Sequence, residues 1–306
     1  MPLLIRVLVG AALVAACLEV LDARDIGARL AEAQAGWLSA AIAALLAQTV
    51  LMALRWRLVA RCLGTEMTAG RAIREYLAAQ LLNATLPGGV LGDAARAARA
   101  RTGASGFRGA AQAVVIERAI GQVGLAAVAG IGLAASLLLP GGFAPPPLLA
   151  GAMTAGLVAV CLLIAALVRR GGAAALARRC LPSRGVIGTQ VALSLGAAVL
   201  NVAAFAACAR ATGTDLGLGA ALVLVPLILT AMLIPLTVGG WGWREGAAAA
   251  LFPLADAAPG AGVAAGVAFG AAVLLSVLPA AGLAVCGRMS GGVRPIVVQA
   301  ERQGHE

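Results

Sequence analysis

The chain has 306 residues, of which 61% are hydrophobic and 12% charged, and its formal net charge is +10. A soluble domain carries about 25% charged residues. The composition therefore predicts an integral membrane protein with several spans, and no stretch is long enough for a separate soluble domain. Every basic residue is an arginine and these are spread along the connecting loops, which argues against nucleic-acid binding.

The cysteines and the histidine exclude several kinds of chemistry. The six cysteines form no CxxC pair and no regular spacing, so we expect free thiols rather than disulfides or a metal site. The only histidine is His305, beside the C-terminus. No glycine-rich nucleotide-binding loop follows a strand. We therefore expect no metal, no cofactor, and no enzymatic activity.

Apolar runs of about 20 residues predict membrane-spanning helices. They cover 3–21, 37–54, 109–138, 147–168, 186–209 and 260–286. The first run resembles a signal peptide, but we interpret it as a retained first span. The predicted fold is an all-α polytopic membrane protein, with one transmembrane domain over 1–290 and a cytoplasmic tail over 291–306.

Two further apolar elements, 72–87 and 217–235, are interrupted. The first is short and polar, and the second contains Pro226 and ends at Pro235. Each leads into a stretch in which Pro and Gly precede charged residues. These stretches are LLNATLPGGVLGDAARAAR at 81–99 and MLIPLTVGGWGWREGA at 232–247. The sequence leaves open whether the broken elements are re-entrant or full spans, and hence six or eight crossings.

Arginines are concentrated in alternate connections. They are dense in 55–108, in 169–184 and in the C-terminal tail, and sparse in the other loops. The positive-inside rule then predicts that both termini are cytoplasmic. With six crossings, the first broken element enters from the cytoplasm and the second from the outside.

The two halves of the chain, about 1–140 and 147–290, align with each other. A shift of 148 residues places Pro87 on Pro235 and superimposes the flanking apolar runs. Each half then has three spans and one broken element, so an odd number of crossings inverts the second half. Broken segments at corresponding positions of inverted repeats indicate the central site of a transporter.

The first broken stretch has the residues for a polar site. Pro87 ends the preceding helix, and the glycines Gly88, Gly89 and Gly92 permit a tight turn and a close backbone approach. We expect Asp93 to cap a helix that starts at Ala94, with Arg96 on the same face. A helix start with free N–H groups suits an anion. Asn83 precedes the break. The alternative is a capped turn at the level of the lipid headgroups.

The second broken stretch has Gly239 and Gly240 at its turn, followed by Arg244 and Glu245. Charges at membrane depth are costly and usually face a cavity or a partner. The tryptophans beside them are expected to anchor the chain at the interface.

The third span contains Glu117 and Arg118. Helix neighbours point about 100° apart, so each needs another partner. Glu117 is expected to reach Arg96, and Arg118 a lipid phosphate; a structural ion pair is the alternative. The segment Arg55-Trp56-Arg57 is interpreted mainly as an interfacial anchor.

The ordered residues resemble the lysylphosphatidylglycerol synthase transmembrane region. The resemblance runs from Arg55-Trp56-Arg57 through Asn83, Pro87, Asp93 and Glu117-Arg118 to Arg244-Glu245-Gly246. Trp243 departs from the family pattern, where a smaller aliphatic residue is expected. The resemblance implies a bacterial inner-membrane protein that translocates lipids. The lipid partner would be of the phospholipid, polyprenyl-phosphate or hopanoid type, and the soluble synthase domain is not present in this chain.

These observations favour a flippase-like translocator of an anionic or modified lipid headgroup. The candidate substrate-binding residues are Asn83, Pro87, Gly92, Asp93, Arg96, Glu117, Arg118, Gly239, Gly240, Arg244 and Glu245. The alternatives are a membrane-embedded partner or scaffold of a lipid-synthesis enzyme, a lipid-modifying enzyme, and an ion-coupled transporter of small solutes.

Overall fold

The computed structural model describes residues 3–86, 91–100, 106–139, 143–169, 175, 178–180, 183–234 and 237–285, and every regular element within them is a helix. In chain order these are α1 (Leu3–Val20), α2 (Ala23–Ala31), α3 (Ala35–Cys62), α4 (Ala69–Thr85), α5 (Leu91–Arg99), α6 (Gly106–Leu138), α7 (Pro147–Arg169), α8 (Arg184–Ala211), α9 (Gly217–Ala231), α10 (Trp243–Leu251), a 3₁₀ turn (Phe252–Ala255) and α11 (Pro259–Val285).

Five of these helices are long and apolar enough to cross a membrane, counted over the described residues. They lie in α3, α6, α7, α8 and α11 and coincide with the second to sixth predicted spans. The first predicted span, 3–21, is also helical as α1. The fold class of a helical, multi-pass membrane protein is therefore confirmed.

The outer surface is apolar, as a lipid-facing surface must be. On α7, Leu148 is 86% exposed and Leu162 is 65% exposed. Large contiguous apolar surfaces of this kind are rare on soluble monomers and mark contact with a membrane or a partner.

The centre of the molecule is formed by α3 and α8, which pack on each other and which both contact α6 and α11. Small residues allow these helices to approach closely. The nearest atom to a Cβ added at Gly132 of α6 would be Leu222 Cβ of α9, at 2.7 Å. A Cβ at Gly262 of α11 would lie 2.5 Å from the carbonyl oxygen of Ala248 on α10.

The broken elements are pairs of short helices. In the first half, α4 ends at Thr85 and α5 begins at Leu91. In the second half, α9 ends at Ala231 and α10 begins at Trp243. Both predicted interruptions are therefore present, and each brings the start of a short helix into contact with the long helices.

Candidate functional site

The carboxylate of Glu117 on α6 is the centre of a buried polar network. Its Oε1 accepts hydrogen bonds from Arg55 Nη2 (2.5 Å), Arg55 Nε (3.2 Å) and the Tyr76 hydroxyl (3.2 Å). Its Oε2 accepts from Arg96 Nη2 at 3.3 Å. These bonds join α3, α4, α5 and α6, and Glu117 itself has no exposed surface.

The guanidinium of Arg96 is enclosed by two aromatic rings. Its Cζ lies 4.6 Å from the ring centroid of Trp56 and 4.3 Å from that of Tyr76. Such cation–π contacts stabilise a charge that water does not reach, and Arg96 is 0% exposed. Arg96 is therefore part of the packed interior of the protein and does not face an open space.

The network reaches an open surface at Arg118. Asp93 Oδ1 accepts from Arg96 Nη2 at 3.0 Å, and Asp93 Oδ2 accepts from Arg118 Nε at 2.9 Å. The same Asp93 oxygen forms a salt bridge with Arg118 Nη2 at 2.8 Å. The Arg118 side chain is 40% exposed. Asp93 thus fixes one edge of the Arg118 guanidinium, whereas Nη1 donates no hydrogen bond to any of the described residues.

A glycine brings α5 onto α4 at this point. A Cβ at Gly92 would lie 1.9 Å from the carbonyl oxygen of Ala79, so no larger residue fits without moving the backbone. The Gly92 N–H donates to Asn83 Oδ1 at 2.8 Å. The first N–H groups of a helix have no acceptor within the helix, and an N-cap side chain commonly accepts from one of them. In α5 the side chain of Asn83, which belongs to α4, accepts from such an N–H group.

The second broken stretch contains a separate buried ion pair. Arg244 Nη2 and Nε lie 2.5 Å and 3.0 Å from Glu245 Oε1, and Glu245 Oε2 accepts the Gly242 N–H at 2.6 Å. Arg244 lies 4.7 Å from the Trp241 ring centroid. Both charged residues are at most 1% exposed, so this pair fixes the start of α10 from within.

A cavity of about 540 Å³ lies between the two halves. Its walls come from α3, α4, α5, α6, α8, α9 and α11, and from the turn at Gly239 and Gly240. Both glycines have positive φ, 59° and 76°. A Cβ at Gly239 would lie 3.4 Å from the carbonyl oxygen of Ala84, so the two broken stretches approach each other here.

The predicted site residues fall into two groups. Asn83, Asp93, Arg118, Gly239 and Gly240 line the cavity. Gly92, Arg96, Glu117, Arg244 and Glu245 are not among its lining and form close packing or buried ion pairs. Pro87 lies outside the described residues. The expected contact between Glu117 and Arg96 is present, and Arg118 forms no pair with Glu117.

Two local predictions are wrong. Arg55 and Trp56 are 2% and 1% exposed, so they do not anchor the chain at an interface. The Arg55 side chain points into the protein because its guanidinium pairs with the buried carboxylate of Glu117. Asp93 does not cap a helix starting at Ala94, because α5 begins at Leu91 and the Asp93 carboxylate is occupied by Arg96 and Arg118.

Sequence reasoning missed most of the uncharged polar lining. These residues are Gln48, Thr49, Gln80, Gln122, Asn201, Thr237 and Ser276. For two of them, helical spacing is the signal in the sequence. Gln122 follows Arg118 by one helical turn and Gln80 precedes Asn83 by three residues, so each lies on the same helix face as a predicted site residue. Amides within apolar runs are a weaker signal than charges, and the sequence does not reveal which helix face meets another helix.

The fold and the site together define a multi-pass helical membrane protein with a cavity between its helices that is lined by both apolar and polar side chains. The chain belongs to the family described as the lysylphosphatidylglycerol synthase TM region, whose model matches residues 3–281. The resemblance inferred from the sequence is therefore confirmed, and the family connects the chain with membrane lipids. Neither the curated proteins nor the solved structures contain a match.

Proposed function

We propose that this protein translocates a lipid with an anionic or modified headgroup across the bilayer, as a flippase-like transporter without enzymatic activity. The observation that carries the proposal is the cavity between the two broken stretches, whose largely apolar wall contains a group of polar side chains and the partly exposed guanidinium of Arg118. Non-helical backbone at membrane depth is tolerated where it is buried in protein or lines a watery cavity, and both stretches contribute to this one.

The headgroup would contact Arg118 directly. Arg96 and Arg244 were expected to receive it as well, but both are enclosed by aromatic rings and paired with carboxylates. Their role in the proposal is to position α5 and α10. The acyl chains would stay in the lipid, beside the exposed Leu233 at the cavity edge.

An internal repeat supports a transport mechanism. The shift of 148 residues pairs α3 with α8, α4 with α9, α5 with α10, and α6 with α11. The contacts recur under this exchange: α4 packs on α11 as α9 packs on α6, and α5 packs on α6 as α10 packs on α11. We propose that the repeats are inverted and that their relative movement exposes the cavity to each side in turn.

The proposed location is a bacterial inner membrane, with both termini in the cytoplasm. Inversion requires that α4 and α9 begin on opposite sides of the membrane. Reporter fusions truncated after Gly64 and after Gly213 test this, because we expect the first to report the cytoplasm and the second the outside. Reporters on the same side would contradict the inverted repeat.

A proteoliposome assay tests the transport itself. The purified chain is reconstituted with fluorescent phospholipids, and their movement is followed by quenching from outside. Wild-type protein is expected to accelerate movement over empty vesicles, and Arg118→Gln to abolish the acceleration. The control is Arg210→Gln, which removes an exposed arginine from a surface pair with Asp215 outside the cavity.

Other outcomes favour other functions. Chemical conversion of a lipid by the purified chain would indicate a lipid-modifying enzyme. No movement, together with stable capture of a lipid-synthesis enzyme, would indicate a scaffold. Equal acceleration by wild type and Arg118→Gln would contradict the proposed site.

A further inference from the structure

The cavity has one positive charge that nothing in the described structure neutralises. The network contains three guanidiniums, Arg55, Arg96 and Arg118, and two carboxylates, Asp93 and Glu117. Arg55 and Arg96 are at most 2% exposed, whereas the side chain of Arg118 is 40% exposed. The excess charge therefore lies at the cavity wall, where it favours an anion over a cation.

The cavity offers no free carboxylate to a cation. Asp93 is the only acidic side chain among the described residues of its lining. Both Asp93 oxygens already accept hydrogen bonds from arginines. An ammonium group would have to displace Arg118 or Arg96 and leave a guanidinium unpaired at membrane depth, which is costly.

The remaining polar lining is neutral and able both to donate and to accept. It consists of the carboxamides of Gln48, Gln80, Asn83, Gln122 and Asn201 and the hydroxyls of Thr49, Thr237 and Ser276. A carboxamide has one acceptor and one donor group, as suits a ligand with several hydroxyls. A lining built to recognise an amine would instead present acceptors alone.

Two polar atoms of this lining are buried and lack a hydrogen-bond partner among the described residues. Asn83 Nδ2 and Thr237 Oγ1 are buried and form no hydrogen bond with the described residues. Thr237 is 3% exposed. The two residues come from opposite broken stretches and both line the cavity. Buried polar atoms are normally satisfied, so each is available to a ligand that bridges the two halves.

The volume limits the size of this ligand. About 540 Å³ lies within the range of roughly 300–1,000 Å³ that holds a drug-sized molecule. A phosphate with a glycerol or one sugar ring fits this space.

We propose that the cavity selects a single phosphate carrying an uncharged, hydroxyl-rich group, and rejects headgroups that end in an ammonium. The phosphate binds Arg118, and the hydroxyls bind the carboxamides and Thr237. This inference rests on the proposed lipid transport for its cargo. It separates the chain from the lysyl headgroup in its family's description, since a lysyl ester carries ammonium groups.

Competitive binding in nanodiscs tests the inference. The purified chain is placed in zwitterionic phosphatidylcholine with equal amounts of phosphatidylglycerol, phosphatidylinositol, phosphatidylethanolamine and lysylphosphatidylglycerol. Lipids retained by the protein are quantified by native mass spectrometry. We expect the two hydroxyl-bearing lipids to be enriched at least about tenfold over the two amine-bearing lipids. Equal retention, or preference for an amine, would overturn the inference.

Two substitutions that add a carboxylate to the cavity lining should reverse its headgroup preference. Asn83→Asp keeps the oxygen that accepts the Gly92 N–H and replaces the unpartnered Nδ2 with a charged oxygen. Asn201→Asp adds a carboxylate on α8, at the opposite wall, should the first variant fold poorly. Either is expected to reduce the enrichment of the hydroxyl-bearing lipids and raise retention of the amine-bearing lipids. Unchanged ratios in a folded variant would contradict the assignment of this lining.

Binding and transport measured on the same purified protein test the headgroup selectivity and the proposed transport separately. Retention of the hydroxyl-bearing lipids without movement in proteoliposomes would support the headgroup chemistry and contradict transport. Movement of all four lipids at equal rates would support transport and contradict the selectivity. Soluble glycerol 3-phosphate is added as a competitor: displacement of lipid by the solute at comparable concentration would keep the headgroup chemistry and overturn the lipid as its source.

Discussion

Arg55 Nη2 lies 2.5 Å from Glu117 Oε1, so the end of α3 is joined to the middle of α6 inside the protein. Neither residue is more than 2% exposed. The same carboxylate holds Arg96 of α5. A single acidic side chain on a long helix therefore fixes both the neighbouring long helix and the broken element.

We expect Glu117→Gln to destabilise the protein strongly. The substitution leaves Arg55 without its carboxylate and Arg96 with Asp93 alone, and an uncompensated buried charge costs about 3–5 kcal/mol. Thermal unfolding in detergent measures the effect. The matched control is Glu75→Gln, whose partner Arg99 is partly exposed, so the expected loss is below about 1 kcal/mol. Equal losses would mean that Glu117 is not the centre of the network.

We expect Gly92→Ala to separate α5 from α4. The new Cβ would lie 1.9 Å from the Ala79 carbonyl oxygen, which belongs to backbone and cannot rotate away. Overpacking of this kind costs about 1–3 kcal/mol or more. Gly70→Ala on the same α4 is the control, because a Cβ there meets nothing within 4 Å. It should be neutral or stabilising, and a Gly92→Ala protein as stable as this control would refute the close approach.

Substitutions of Arg96 and Arg118 should affect stability and lipid binding differently. Arg96→Ala removes a buried cation between Trp56 and Tyr76, so we expect a loss of about 3–5 kcal/mol and little folded protein. Arg118→Gln should keep a near-normal unfolding temperature and lose lipid binding. Size-exclusion profiles and unfolding temperatures measured beside lipid retention distinguish the two. Loss of binding by a stable Arg96→Ala protein would place Arg96 in direct contact with the ligand.

The loop between α8 and α9 gives a prediction about pH. The N–H of Gly217 and the guanidinium of Arg210 hold the pKa of Asp215 below its usual value of 3.8. A lowered pKa in the folded state stabilises the protein above the unfolded value and is lost as pH falls through the folded value. Asp215→Asn should therefore be less stable than wild type at neutral pH, with a gap that closes below pH 3.8. A gap that does not depend on pH would contradict this pairing.

Much of the fold could be predicted from hydropathy, because a membrane span must be apolar over its whole length. Five predicted spans coincide with long helices. Pro and Gly at 87–92 and 235–240 located both interruptions, since these residues break helices by their own covalent structure. The contact of Glu117 with Arg96 was also expected, because a charge inside a span requires a partner.

The boundary between cavity and core could not be read from the sequence. Arg96 and Arg118 look alike as arginines near a membrane, yet one is enclosed and the other is 40% exposed. The apolar run before Arg55 predicts an interfacial anchor, whereas the structure buries this residue. Its true position depends on the rotation of α3 against α6, which is set by packing between helices.

Hydropathy and residue type are enough to specify a multi-pass membrane protein, the places where its helices break, and the charges that fall within or beside apolar runs. Those properties follow from the local cost of placing charges and unpaired backbone in lipid. The pairing of Glu117 with both Arg55 and Arg96, and the meeting of Asn83 and Thr237 at one cavity from opposite halves, are set by tertiary packing. Such contacts depend on how helices distant in the chain pack together, and no local rule of composition or spacing specifies that packing.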